Sequence, residues 1–311
     1  MSNIITLNDL DLDKYKDASV VDKLRPAHTF SPDLKDRLYG KKQFEGVSLP
    51  WQKMDGILLK TKQLSIWGGS NFSGKSSVLA QVANHIALQV PVLKMSFEME
   101  PGETLEKMCK MAAGCKPSQE FIDYYLQQLN DKLWLLDHVG SLDHERVMGA
   151  AYVASNILGI KHIVIDSFMR LDIAPTDYDK QKIVINNLVW LAGALDVHIH
   201  LIAHFKKPAD SRNTGDRHQV SGSSAITDLA HNCFLVWKNE EKAKKICSGD
   251  EYNDDEPDTV ITLDKYRSDG TKVNQWGLWF DPVSGQFCET SERRNIHWQG
   301  AVRFEDWIEG A

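Results

Sequence analysis

Residues 69–76 read Gly69-Ser70-Asn71-Phe72-Ser73-Gly74-Lys75-Ser76. This stretch fits the pattern Gly-x-x-x-x-Gly-Lys-Ser/Thr, whose glycines let the backbone curl so that its N–H groups face phosphate oxygens. A short apolar run at 63–67 precedes the loop, and an amphipathic helical pattern at 76–89 follows it and adds the positive end of a helix dipole. The motif and its context predict a phosphate-binding loop between a strand and a helix.

Such a loop predicts a cofactor, which is ATP or another nucleoside triphosphate together with Mg²⁺. The lysine of the motif, Lys75, is expected to reach the β- and γ-phosphates, and the hydroxyl of Ser76 is expected to hold the metal ion. The predicted nucleotide-binding residues are Gly69, Ser70, Asn71, Phe72, Ser73, Gly74, Lys75, Ser76 and Ser77.

Apolar runs and amphipathic helical patterns alternate along most of the chain, which predicts an α/β fold with a mostly parallel central sheet flanked by helices. The predicted strands are 63–67, 92–97, 133–136, 162–166 and 197–203, and the predicted helices are 76–89, 104–113, 144–158 and 180–195. Strands at 233–237, 259–263 and 277–280 have no long helix between them, so we expect antiparallel strands at one edge of the sheet. The acidic stretch 248–257 is expected to be a solvated hairpin loop.

The composition is that of a soluble globular protein, with 42% hydrophobic and 25% charged residues among 311. No apolar run approaches the roughly 18 residues that cross a bilayer, and the first residues do not resemble a secretory signal, so we expect a cytoplasmic protein without a membrane partner. Five cysteines without a Cys-x-x-Cys pair disfavour a disulfide framework and a zinc ribbon. The net charge of −7 disfavours a uniformly basic DNA-binding surface but leaves room for a local basic segment.

Two acidic residues follow predicted strands at the edge where open α/β sheets bind their ligands. Asp166 ends the apolar run 162–166 and is a candidate second ligand of Mg²⁺, although it could instead cap the next turn. Glu98 follows the run 92–97 and could polarise a water molecule near the γ-phosphate, although many strands end in a glutamate.

Six stretches together resemble the RecA-like motor domain of the DnaB-family hexameric replicative helicases, with Twinkle and the phage primase-helicases as the most similar branch. The stretches are Gly69–Ser76, Ser96–Met99, Ile163–Asp166, Leu201–Pro208, Val220–Ile226 and Lys265–Gly270. They occur in the family's order and span about residues 45–285. The resemblance implies a RecA-like P-loop NTPase that hydrolyses ATP and acts on DNA.

The resemblance also assigns catalytic roles to particular residues. Glu98 matches the catalytic glutamate, and His204 matches a polar sensor of the γ-phosphate. Lys265 and Arg267 match basic residues that reach into the nucleotide site of a neighbouring subunit. His204 could instead be structural, or a metal ligand with two histidines of the same strand, and the two basic residues could be a solvated strand end.

The segment that follows His204 is the candidate DNA contact. It is polar and locally basic within an acidic protein, and it lacks the aromatic residues that stack on bases, so binding to single-stranded DNA should tolerate any sequence. The predicted DNA-binding residues are Lys206, Lys207, Arg212, Arg217, Gly222, Ser223 and Ser224. The alternative is an ordinary solvent loop, although loops of about 15 residues within a compact domain are more often functional.

The resemblance implies a replicative DNA helicase motor that works as a homo-oligomer, most simply a hexameric ring, moves 5′ to 3′ on single-stranded DNA and cooperates with a separate primase. We expect an N-terminal arm or linker at 1–45, a RecA-like helicase domain at 46–290 and a C-terminal tail at 291–311. Two other classes stay open: a RecA-type single-stranded-DNA-dependent ATPase that does not unwind, and a regulatory nucleotide-binding module.

Overall fold

A computed structural model describes residues 25–39, 46–205, 217, 220, 222, 224–268, 274–296 and 298 of the chain. The chain divides into two units, residues 1–45 and residues 46–311. In the first unit a 3₁₀ turn at Ala27–Phe30 leads into helix α1 (Ser31–Tyr39), which exposes the apolar side chains of Leu34 and Leu38. Among the residues described, no helix combines the length and the apolar character that a membrane span requires.

The second unit contains the alternating elements that the sequence predicts, followed by strands near its C-terminal end. Its helices are α2 (Lys75–Ala87), α3 (Pro101–Ala113), α4 (Gln119–Gln128), α5 (His144–Leu158), α6 (Tyr178–Leu195), α7 (Ala225–Leu229) and α8 (Glu240–Ser248). Its strands are β1 (Val47–Ser48), β2 (Leu58–Leu59), β3 (Gln63–Gly69), β4 (Val92–Ser96), β5 (Leu133–Leu135), β6 (His162–Asp166), β7 (His198–His204), β8 (Asn232–Lys238), β9 (Thr259–Tyr266), β10 (Asn274–Phe280) and β11 (Phe287–Cys288).

Within the described residues the central sheet has the strand order β11-β10-β9-β8-β3-β7-β6-β4-β5. The strands from β8 to β5 pair in parallel, and β9, β10 and β11 continue the sheet with antiparallel pairing. Parallel pairing aligns the carboxyl ends of β3, β7, β6 and β4, because Gly69 pairs with His204 and Ser96 pairs with Asp166. The predicted α/β fold with antiparallel edge strands is therefore confirmed.

The central strands of the sheet are buried on both faces, which explains why apolar residues occur on both faces of these strands. One core contains Val78 and Ile86 of α2 together with Met108 of α3. The other contains Val147 of α5 and Leu188 of α6. The phosphate loop is thus held between a strand and a helix that are each anchored in the core.

Three helices of the second unit were missed by the sequence pattern: α4, α7 and α8. Ser118 begins α4 by accepting a hydrogen bond from the N–H of Phe121, and Asn239 begins α8 in the same way. The prediction of a solvated loop at 248–257 was incomplete because ion pairs tie that loop down. Lys242 of α8 is buried, and its Nζ lies 3.3 Å from Asp254 and 2.9 Å from Asp258.

Three buried histidines form a hydrogen-bonded cluster on one face of the sheet. The indole N–H of Trp67 donates to His200 Nδ1 (3.3 Å), so the Nε2–H of His200 donates to His162 Nδ1 (3.1 Å). His198 donates from Nδ1 to the carbonyl of Lys60 and accepts a hydrogen bond from Ser65 Oγ (2.8 Å) at Nε2. These partners give the histidines a structural role in their neutral form.

The histidine cluster predicts a loss of stability in mild acid. Burial lowers the pKa of His198 to about 4 and the pKa values of His162 and His200 well below 6.5. Below about pH 6.5 the histidines of the unfolded chain therefore bind protons that those of the folded chain do not. The free energy of unfolding is highest above that pH and decreases as the pH falls toward the pKa values of the folded state. We expect His198→Gln to reduce the slope of unfolding free energy against pH between 6 and 4.5 by up to about 1.4 kcal/mol per unit.

Denaturant unfolding at a series of pH values measures this slope. His28→Gln is the matched control, because it removes an exposed histidine outside the buried cluster and should leave the slope unchanged. An equal slope in the wild type and the His198→Gln variant would contradict the assignment.

Candidate nucleotide site

The loop after β3 has the backbone that a phosphate-binding loop requires. Gly74 has φ +92° immediately before α2, a conformation that favours glycine, and Phe72 at the tip is 93% exposed. A Cβ atom on Gly69 would lie 2.5 Å from the carbonyl oxygen of Val236 and 2.6 Å from Ser73 Oγ. The close packing of Gly69 explains why a side chain is not tolerated where the strand turns into the loop.

Lys75 lies folded back on this loop. Its side chain is almost fully buried, and Nζ donates hydrogen bonds to the carbonyls of Ser70 (2.6 Å) and Gly69 (3.1 Å). Burial lowers the pKa of Lys75 to about 8, and the nearby carboxylates of Asp166 and Glu98 oppose this effect. The ammonium is therefore poised beside the loop, where the phosphates of a nucleotide would give it a new partner.

Asp166 ends β6 and lies buried at the same sheet edge. Its Oδ2 is 3.7 Å from Nζ of Lys94, a fully buried lysine of β4 that has no hydrogen-bond partner within the described part of the chain. Burial lowers the pKa of Lys94. Sequence reasoning missed Lys94, since a single lysine within an apolar run gives no signal of its role.

Glu98 follows β4, half-exposed at the rim of the site. Its Oε1 accepts a hydrogen bond of 3.2 Å from Nε of Arg170, which belongs to the 3₁₀ turn Phe168–Arg170 after β6. Arg170 is 72 positions from Glu98 and belongs to none of the sequence motifs, so the sequence gives no signal of this partner. Glu98, the predicted catalytic glutamate, thus has a cationic partner.

His204 ends β7 next to Gly69 and is half-buried. Burial lowers the pKa of His204, the cations Lys75 and Arg170 lower it further, and the carboxylates of Glu98 and Asp166 oppose them. The structure therefore brings five chargeable side chains together at the carboxyl edge of the sheet, beside the phosphate loop.

The residues at this edge fit a magnesium ion. Mg²⁺ prefers hard oxygen ligands, and a hydroxyl plus a carboxylate beside substrate phosphates is its usual protein environment. Ser76 in the first turn of α2 and Asp166 at the end of β6 supply that donor set, and Asp166 has a cation, not a hydrogen-bonding side chain, as its partner. Ser76 and Asp166 are accordingly the residues that would hold the ion.

Lys265 and Arg267 lie at the opposite edge of the sheet. The N–H of Arg267 donates to the carbonyl of His231 (3.1 Å), and the N–H of His231 donates to the carbonyl of Leu64 at the start of β3 (2.9 Å). The five residue-to-residue steps from Leu64 to Gly69 span about 16 Å of strand. The structure does not bring Arg267 to the nucleotide loop of its own chain.

Both basic side chains are bound to the last carbonyls of helix α7. Lys265 Nζ donates to the carbonyls of Thr227 (2.9 Å) and Asp228 (2.7 Å), and Arg267 Nη2 donates to the carbonyl of Asp228 (2.9 Å). Burial lowers the pKa of Lys265, and the charge of Arg267 adds to the effect. The pair forms a cationic group at one end of a helix whose other end borders the predicted DNA-binding segment.

Part of the predicted DNA-binding segment is described. An isolated bridge joins Phe205 to Val220, Arg217 Nε lies 3.5 Å from Asp264 Oδ2, and Gly222 has φ +105°. Ser224 directly precedes α7. Four of the predicted DNA-binding residues lie outside the described residues: Lys206, Lys207, Arg212 and Ser223.

A protein-family model described as "AAA domain" matches residues 45–210, which is more than half of the chain. The chain belongs to this AAA domain family. The matched range contains the phosphate loop, Glu98, Asp166 and His204, so the family match and the geometric cluster coincide. A comparison with curated proteins found no significant match.

Solved structures of similar fold are RecA-like P-loop ATPases. One, titled as a DnaB-like replicative helicase and its interactions with primase, has a TM-score of 0.66 at 13% identity and covers 85% of this chain and 67% of its own. The ATPase domain of G40P has a TM-score of 0.66 at 14% identity, with 84% and 97% covered. A KaiC-like protein from Pyrococcus horikoshii OT3 has a TM-score of 0.53 at 14% identity, with 73% and 89% covered. The fold of this AAA domain is thus the one that the resemblance implied, that of the DnaB-like RecA-type motor, and such a fold implies nucleotide binding.

The packing around Gly69 predicts that even one added methyl group disrupts nucleotide binding. In Gly69→Ala the new Cβ would overlap backbone atoms of β8, so the loop must shift and the N–H groups lose their alignment with phosphates. We expect at least a tenfold loss of affinity for a fluorescent ATP analogue together with a stability loss of about 1–3 kcal/mol. Equilibrium titration and denaturant unfolding measure the two quantities.

Gly149→Ala is the matched control. Gly149 is within helix α5, and an added Cβ there meets no atom within 4 Å, so alanine should stabilise the helix by up to about 1 kcal/mol and leave nucleotide binding unchanged. Wild-type affinity in the Gly69→Ala variant would show that the loop does not bind the phosphates.

Proposed function

We propose that this AAA domain is an ATP-dependent DNA helicase motor that assembles as a ring, moves along single-stranded DNA and unwinds duplex DNA, 5′ to 3′ by its resemblance to the DnaB family. The observation that carries the proposal is the position of His204. This residue lies within the charge cluster at the phosphate loop, and the basic segment with Lys206 and Lys207 begins two residues later. A change at the γ-phosphate would therefore act on the same strand end that leads to the DNA-binding segment.

A ring is the simplest arrangement in which Arg267 contacts a bound nucleotide. Arg267 lies about 16 Å along the strand from its own phosphate loop, so in this proposal Arg267, together with the adjacent Lys265, is supplied to the loop of a neighbouring subunit. Their attachment to α7, which begins after Ser224, also links them to the DNA-binding segment. DNA contact in one subunit would thereby influence hydrolysis in the next.

The roles of the residues follow from their positions. The N–H groups of the loop and Lys75 bind the phosphates, and Ser76 and Asp166 hold Mg²⁺, which neutralises charge on the phosphates when it is bound. The free carboxylate oxygen of Glu98 accepts a hydrogen bond from the attacking water and orients it. Arg267 of the neighbour stabilises the charge of the transition state, an effect of about 10³–10⁵ in rate in other NTPases.

The partners of this motor would be single-stranded DNA, further copies of the chain and a separate primase. A solved structure with the same fold is described as a replicative helicase with interactions with primase, which supports this assignment. Exposed apolar residues of α1, Leu34 and Leu38, suit the arm for gripping a neighbouring subunit.

The test is ATP turnover with and without single-stranded DNA, run beside the native mass of the assembly. We expect single-stranded DNA to stimulate turnover several-fold and the mass to be that of a closed ring. Lys206→Gln/Lys207→Gln should lose the stimulation and flatten the dependence of log affinity on log salt by about 0.7 for each lost phosphate contact.

Lys244→Gln/Lys245→Gln is the matched control, because it removes two adjacent, exposed lysines of α8 on another part of the domain. Turnover that does not respond to DNA would favour a regulatory nucleotide-binding module. DNA-stimulated turnover with open filaments and no unwinding would favour the RecA-type ATPase.

A further inference from the structure

The ion pair between Arg170 and Glu98 lies at the rim of the nucleotide site. We propose that Arg170 is a positioning residue for Glu98: it holds one carboxylate oxygen so that the other faces the attacking water. The inference rests on the proposed function, since it takes Glu98 as the group that orients that water.

The backbone of Arg170 is fixed from several sides. Its N–H donates to the carbonyl of Ser167 (3.0 Å), and its carbonyl accepts a hydrogen bond from the N–H of Leu142 (2.9 Å). The turn is anchored by Phe168 and Leu171, which are both buried in the core. The arginine side chain therefore extends toward Glu98 from a rigid base.

The side chain of Glu98 is nearly half-exposed, although the preceding residue, Phe97, is buried in the core. Glu98 lies just beyond the end of β4, and Arg170 is the partner of its carboxylate within the described residues. The contact runs from Arg170 Nε to Oε1 only, at 3.2 Å, so Oε2 stays available to a water molecule. A single contact of this kind selects an orientation of the carboxylate without blocking it.

The charges around the pair agree with this role. The charge of Arg170 acts on His204, and the charge of Glu98 acts on both His204 and Lys75. The guanidinium thus lies close to the charged groups beside the phosphate loop, and its Nη atoms have no hydrogen-bond partner in the described part of the chain. Arg170 can hold Glu98 within this group of charges without leaving its turn.

In the opposite role, Arg170 would keep Glu98 inactive. This role is disfavoured because the ion pair is too weak. Both side chains are nearly half-exposed, at 44% for Arg170 and 45% for Glu98. An exposed ion pair changes an equilibrium by only about fivefold, so it could repress turnover by no more than that. The same contact becomes stronger when a neighbouring subunit covers the site and excludes water, which is when orientation is needed.

Kinetics and binding of Arg170→Gln test the proposal. We expect kcat for ATP to fall about 10- to 100-fold, part of the 10²–10⁴ that a positioned acid–base group contributes. KM and the affinity for a fluorescent ATP analogue should change by less than about threefold, because Arg170 contacts the glutamate and not the ground-state nucleotide. Arg170→Lys should recover part of kcat, since it keeps the charge.

A double variant tests whether Arg170 acts through Glu98. Glu98→Gln/Arg170→Gln should be no slower than Glu98→Gln alone, because residues that act as a unit are not additive. Arg294→Gln is the matched control: it removes an exposed Nε–carboxylate pair of the same type, with Glu292 at 3.0 Å, and should leave kcat unchanged. Thermal unfolding of each variant shows that it is folded.

Three results would overturn the proposal: an Arg170→Gln variant with an unchanged or higher kcat, a loss of nucleotide affinity as large as the loss of kcat/KM, or additive losses in the double variant. Full turnover in Glu98→Gln would overturn both this inference and the role of Glu98. Turnover that depends on Arg170 but does not respond to DNA would refute the motor and leave the positioning role standing.

Discussion

The parallel register of β3, β7, β6 and β4 is the constraint on which the rest of the structure depends. Hydrogen bonding in that register places the carboxyl ends of the four strands in one row, so that each strand delivers one chemical group to the same edge. Gly69 opens the phosphate loop, His204 and Asp166 end their strands, and Glu98 lies just past Ser96. A slip of one residue in a strand would move its group to the other face of the sheet, away from the phosphate loop.

The same topology separates the two halves of the proposed catalytic apparatus. Because β8 runs parallel to β3 and β9 returns antiparallel, the end of β9 lies at the amino edge of the sheet. Arg267 is therefore far from the phosphate loop in its own chain but is joined through α7 to the predicted DNA-binding segment. In our account the nucleotide site is shared between subunits, and the sheet couples the phosphate loop at one edge to Arg267 at the other.

Much of the fold follows from local signals in the sequence. Helix α5 and strand β6 have the predicted bounds, because Asp143 caps the helix, Gly159 ends it in a left-handed conformation and a fully buried strand follows. Helix α8 was missed, since it is strongly charged and lies where a hairpin is expected. The ion pairs of Lys242 that hold it involve residues distant in sequence.

In the candidate site, too, the residues with local sequence signals could be predicted and those placed by the tertiary fold could not. Its motif residues could be predicted, because each type of group stands at a fixed distance from a strand end. The partners of those residues could not: Arg170 meets Glu98 across 72 positions, and Lys94 becomes a buried cation beside Asp166 only when β4 and β6 pair. Such contacts depend on the tertiary fold and leave no local pattern.

Mixing two inactive variants tests the shared site most directly. Lys75→Ala removes the phosphate lysine and Arg267→Ala removes the group supplied to the neighbour, so each homogeneous assembly should lack ATP turnover. In mixed assemblies some interfaces combine an intact loop with an intact Arg267, and we predict that turnover returns in proportion to their number. Mixed assemblies that stay inactive, or an Arg267→Ala variant that is fully active alone, would contradict the account.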